Sequence, residues 1–132
     1  FVSWFSGTSA NHKAGLRVAK IGQKDLFFSH LTVYAKHPQM VSVREKLVMV
    51  WDESMEKDEK YFSKIGLCVF NKQGKGTISY LTPNFENATY PVIMATPKGF
   101  LIAYEHQKED GKTVIMHTSN LIVDDIISAK TK

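Results

Sequence analysis

Lys36-His37-Pro38-Gln39-Met40-Val41, followed shortly by Leu47-Val48-Met49-Val50-Trp51, decides how this chain is read. Both phrases return. Thr89-Tyr90-Pro91-Val92-Ile93-Met94 precedes Phe100-Leu101-Ile102-Ala103-Tyr104, and the step from His37 to Tyr90 equals that from Trp51 to Tyr104, 53 residues. Two markers holding one register define an internal repeat. A third aromatic-ended phrase opens the chain as Phe1-Val2-Ser3-Trp4-Phe5, with Trp4 47 residues before Trp51. These phrases are strand-sized and rich in β-branched and aromatic residues. Proline suits the first residue of a strand, where its missing N–H costs least.

Working outward, each aromatic phrase runs into a polar stretch (residues 6–15, 52–63 and 105–112) and then a second apolar run (16–21, 65–70 and 113–117). One hairpin is therefore written three times. The middle copy reads as four strands at 39–43, 47–51, 64–70 and 76–81, with short turns at 44–46 and 71–75. Four antiparallel strands in roughly 50 residues are the signature of a propeller blade. The expected fold is all-β: about two and a half to three four-stranded antiparallel blades of a β-propeller in one partial segment. Residues 1–35 form an incomplete blade lacking its opening strand, 36–88 a full blade, and 89–132 a third blade with its fourth strand expected in 121–127. The Glu/Lys/Met-rich stretch 52–61 carries no apolar stripe and reads as a solvated hairpin loop. Residues 124–130 are too short a stretch to assign.

Composition narrows the function classes. The 132 residues are 43% hydrophobic and 23% charged, which fits a globular protein and not a disordered tail. The longest apolar runs are strand-sized, far below the roughly 18 residues of a membrane span, so no span is expected. No signal or transit peptide is visible, and the first residues already read as strand. The net charge of +4 comes almost wholly from lysines scattered through turns, and the two arginines are Arg17 and Arg44. Nucleic-acid recognition calls for a clustered basic stripe with aromatic interleaving, so nucleic acid is not an expected partner. The single Cys68 lies inside an apolar run and reads as core. His12, His30, His37, His106 and His117 have no second His or Cys at close ligand spacing, and no phosphate-loop, dinucleotide or haem motif occurs. No metal or cofactor is expected. Asn87-Ala88-Thr89 fits the N-glycosylation sequon.

The order of proline-opened strand, aromatic-ended strand and apolar third strand resembles the sialidase-like, BNR-repeat β-propellers over about residues 1–120. Those propellers often carry an Asp-box, S-x-D-x-G-x-T-W, between third and fourth strands. The matching turn is Asn71-Lys72-Gln73-Gly74-Lys75-Gly76-Thr77-Ile78. Asn71 stands for Ser, Gln73 for Asp and Ile78 for Trp, while Thr77 and the glycine character remain. The resemblance implies a periplasmic or extracellular location. It also implies what a family enzyme needs: three arginines on a substrate carboxylate, a Tyr nucleophile with its carboxylate, and an Asp acid/base. Arg17 falls in a third strand and Arg44 in a first-to-second strand turn, away from the usual site face, so the chain alone reads as non-catalytic. Tyr61 with Glu59 is a conceivable nucleophile pair.

In such propellers, ligands meet the face built from second-to-third strand loops and first-strand starts. That collects Lys36, His37, Asp52, Glu53, Tyr90, Glu105 and His106 as ligand-face candidates. Glu53 and Glu105, each soon after its aromatic, stand out as a pair for shared chemistry, against the alternative of solvated hairpin ends. His37 reads either as a ligand or acid/base group, or as a residue packed beside the strand. An incomplete run of blades leaves two apolar ends, so other protein chains or a second copy closing the propeller are the expected partners. The leading reading is a non-catalytic binding or accessory subunit. The alternatives are a fragment of a sialidase-like glycoside hydrolase and a carbohydrate-binding module stacking sugars on Trp4, Trp51 or Tyr104.

Overall fold

The apolar phrases of the middle unit are continuous, not alternating, because both faces of their sheet are covered. The computed structural model describes residues 1–10, 13–32, 34–83 and 86–128. His12 and residues 129–132 lie outside them. The chain is all-β, with three antiparallel sheets in succession. The first contains β1 (Val2–Ser6), β2 (Gly15–Ala19) and β3 (Leu26–Leu31). The second is a four-stranded meander of β4 (Ala35–Val43), β5 (Lys46–Lys57), β6 (Lys60–Phe70) and β7 (Gly76–Tyr80). The third contains β8 (Ala88–Ala95), β9 (Gly99–Gln107), β10 (Thr113–His117) and β11 (Leu121–Ile122), and is followed by the short helix α1 (Val123–Ser128).

Side chains alternate across a strand, so β5 and β6 feed two cores at once. Val48, Val50, Leu67 and Val69 pack with Phe100, Ile102 and Val123 of the third unit. Met49, Trp51, Cys68 and Phe70 pack with Leu16 and Val18 of the first sheet. Cys68 is fully buried there, as its setting in the sequence predicts. The middle sheet is thus held between its neighbours. Each fully buried side chain of this size stabilises the fold by about 1.5–3 kcal/mol.

Two expectations need correction. Residues 52–61 do not form a loop. β5 and β6 stay paired from Leu47↔Phe70 out to Lys57↔Lys60, and the chain reverses through Asp58 and Glu59 alone, both with positive φ (52° and 61°). That is the geometry of a two-residue hairpin turn that matches strand twist. The charges mislead because residues 56–61 at the far end of the arm are exposed while their backbone satisfies the ladder. The third unit's expected fourth strand is also absent from the described residues. β11 pairs with β9 (Leu121↔Phe100), on the edge of β9 that β10 already uses (His117↔Ala103). It continues the third strand past an interruption, and the chain then turns into α1. Val123 is buried and Ile126 packs on the same core, so these two side chains serve a helix and not a strand.

The turn after β6 keeps its shape without an Asp-box aspartate. Asn71 Oδ1 accepts the backbone N–H groups of Gln73 (2.9 Å) and Lys75 (3.0 Å). Gly74 sits at φ +76°, and a Cβ there would lie 2.1 Å from the carbonyl oxygen of Phe27 in β3. Gly66 meets a different limit: a Cβ would fall 2.2 Å from Cε2 of the fully buried Trp51. Overpacking of a core costs about 1–3 kcal/mol. Gly66→Ala should therefore lower unfolding free energy in urea titration by at least about that amount. Gly7→Ala, with open space around it, should change it by less than about 0.5 kcal/mol.

Candidate functional site

The end of β5, just past the core, carries two adjacent carboxylates that face opposite ways. Asp52 is buried and faces the third sheet. Its Oδ2 accepts Nδ1–H of His37 at 2.7 Å and the backbone N–H of Tyr90 at 2.8 Å. His37 and Tyr90 both adopt left-handed backbone, φ +50° and +51°. Each directly precedes a proline, and each sits in its sheet's register shift, between Lys36 and Gln39 or between Thr89 and Val92. Such a conformation costs a non-glycine residue of order 1–3 kcal/mol and persists only where its surroundings hold it. Asp52 holds both residues, one by its ring and the other by its N–H. The two rings lie 4.4 Å apart, centre to centre. The proline-marked repeat is therefore a bulge written into successive sheets.

Glu53 faces the first sheet. Its Oε2 accepts Trp51 Nε1–H (3.0 Å), the Tyr80 hydroxyl (3.3 Å) and His30 Nε2–H (3.4 Å), and its Oε1 accepts the Thr32 hydroxyl (3.3 Å). Burial pushes this carboxyl up. The hydrogen bonds from His30 and Trp51, the electrostatic pull of His30 and the bond from Tyr80 outweigh burial and hold it down at about 2. Tyr80 moves the other way. Burial, the Glu53 charge and the bond to it raise the phenol to about 12. Lys64 Nζ lies 3.6 Å over the Tyr80 ring, a cation–π contact. The result is an ionised carboxylate filled with donors beside a phenol that keeps its proton. That suits a tie between two sheets. It is poorly suited to proton transfer near neutral pH, which needs a matched pKa, or to attack by a phenolate.

The seven ligand-face candidates therefore do not form one cluster. His37, Asp52 and Tyr90 come together, and Glu53 belongs to a separate group. His106 Nδ1 lies 3.8 Å from Glu86. The side chains of Lys36 and Glu105 make no hydrogen bond or ion pair among the described residues. The expected pairing of Glu53 with Glu105 fails, because Glu53 turns towards the first sheet and Glu105 away from the middle one. At the repeat's own step, Glu105 matches Asp52, since Tyr104 matches Trp51. The contributions of His30 and Tyr80 carry no sequence signal, because neither belongs to the repeated phrases.

Other candidates are also placed. Trp51 is fully buried with its indole N–H bonded to Glu53, so it offers no sugar-stacking face. Arg17 is buried in the first sheet. Its Nη2 donates to the Lys13 carbonyl oxygen, and its Nη1 has no partner among the described residues. Arg44 sits at the β4–β5 turn and pairs with Asp124 at 3.5 Å. The two arginines do not converge. Glu59 lies in the hairpin turn and Tyr61 is exposed on the arm. Among the described residues no three His, Cys, Asp or Glu side chains are grouped to hold a metal ion, and no helix is long and apolar enough to cross a membrane. No family model, curated protein or solved structure matches this chain.

The depressed Glu53 carboxyl makes stability depend on acid. In the unfolded chain the group titrates near 4.5, so its contribution is whole above that value and is lost as pH falls towards about 2. Glu53→Gln should remove this acid-labile component. At neutral pH it should destabilise the protein by about 1.5–3 kcal/mol, the worth of hydrogen bonds to a charged group. Urea titrations from pH 7 to pH 2 on both proteins would measure this, and the two curves should converge at the acid end.

Proposed function

We propose that this chain is a non-catalytic binding or accessory subunit built on a segment of a sialidase-like β-propeller. Its three sheets are successive blades, completed by a partner chain or by further blades. The observation that carries the reading is the use made of Asp52 and Glu53. Both carboxylates stand on the face where a propeller enzyme would work, and both are spent as ties between sheets. Glu53 already accepts four donors, Tyr80 is pushed away from the phenolate, and the two arginines sit apart. Sheet-on-sheet stacking at the step of the sequence repeat supports the blade reading. The apolar outer faces of the end sheets support dependence on a partner. The family resemblance supports a periplasmic or extracellular location.

Turnover tests this directly. The purified chain should release no fluorophore from a fluorogenic sialoside above the buffer rate, from pH 4 to pH 8. Release that Glu53→Gln or Tyr80→Phe abolishes would overturn the proposal and make the chain part of a hydrolase.

A further inference from the structure

The repeat supplies a rule for which face of a sheet meets which. In the middle sheet, Met49 and Trp51 face the preceding sheet, while Val48 and Val50 face the following one. Their matches in the third sheet are Ile102 and Tyr104, which face back onto the middle sheet, and Leu101 and Ala103. By the alternation of β9, Leu101 and Ala103 face outward. They line a groove of about 270 Å³ together with Val92, Met94 and His117. Val92 and Met94 are 57% and 59% exposed, and Ile115, on the same face, is 68% exposed. Glu105, the match of Asp52, stands on this face as well. The third sheet thus presents, position for position, the surface that the middle sheet buries.

The covering surface in that contact is the aromatic-bearing face of a sheet. Among the described residues one such face remains open. Leu16 and Val18 of β2 point towards the middle sheet, and β1 pairs Trp4↔Arg17 and Val2↔Ala19, so Trp4 and Val2 face outward. Trp4 is the match of Trp51 and Tyr104. Val2 and Trp4 are 44% and 37% exposed, whereas Arg17 on the same face is already covered, which confines the open area to the Val2–Trp4 end.

We propose that the outer face of the third sheet receives the outer face of the first sheet from a second copy of this chain. Two copies then meet twice through the same head-to-tail contact, and the six sheets close into a ring about a two-fold axis. This inference rests on the reading of the sheets as blades. It deepens that reading by naming the partner and the residues that meet. A head-to-tail contact that closes forms a finite ring, and one that does not close forms filaments. Closure also removes both exposed apolar faces at once.

Sedimentation equilibrium of the intact chain tests it. The protein should run at twice the chain mass at micromolar concentration. The double substitution Val92→Glu/Met94→Glu on one face, and Trp4→Glu on the other, should each weaken self-association at least 100-fold while far-ultraviolet circular dichroism stays unchanged. Ile115→Lys provides a second lesion on the third sheet should the double variant fold poorly. Because the contact is head-to-tail, mixing the third-sheet variant with Trp4→Glu restores one intact contact of the two. That mixture should associate more tightly than either variant alone. A monomeric wild type, filaments, or a dimer that survives Trp4→Glu would each overturn the proposal. None of these outcomes bears on turnover of the sialoside, so the partner and the non-catalytic reading fail separately.

Discussion

The rest of the molecule depends on the burial of the β5–β6 hairpin from both sides. Leu47 to Trp51 and Ile65 to Phe70 leave no polar face that could be given to water, so the hairpin requires a sheet on either side. Trp51 sets the tolerance of the arrangement. Its ring occupies the space above Gly66 that any larger residue would need. The outer sheets answer the demand of the middle one with one face each, Leu16 and Val18 on one side and Phe100 and Ile102 on the other. Nothing comparable in the described residues answers the outer sheets themselves.

Where the hairpin leaves the core, polar groups take over from apolar ones, and the alternation of the strand divides the work. Asp52 reaches the third sheet and Glu53 the first. Adjacent carboxylates on one strand thus fix two different interfaces. Each avoids the cost of a buried unpaired charge by collecting donors both from its own sheet and from the sheet it faces. The left-handed residues before Pro38 and Pro91 belong to the same device. They place a ring and an N–H where one oxygen accepts both.

The repeat was legible because it is written in strand chemistry. Strands pair locally, so the aromatic-ended phrases and proline starts identify elements without any knowledge of distant contacts. The all-β class and the four strands of the middle unit follow from them. What stayed hidden depends on three-dimensional placement. Residues 52–61 read as loop because sequence shows their polarity but not that a two-stranded arm can keep its ladder in water. Residues 121–127 read as a fourth strand because an apolar run does not reveal whether it pairs along a new edge or packs as a helix. In the candidate site, His37 and Tyr90 were legible as period-mates. Matching Asp52 with Glu105 at that period, and not Glu53 with Glu105, would have pointed to the Asp52 tie. His30 and Tyr80 meet Glu53 only through stacking of sheets, for which a single strand carries no mark.

Gly74 has a consequence beyond its turn. Its backbone runs so close to the Phe27 carbonyl that the absent side chain determines how near the first and second sheets come at that edge. An ordinary van der Waals gap in place of 2.1 Å would move β3 outward by more than an ångström. The residue works as a gauge block between two layers. A single methyl group at this turn would therefore reset how far the first layer stands from the second along that edge.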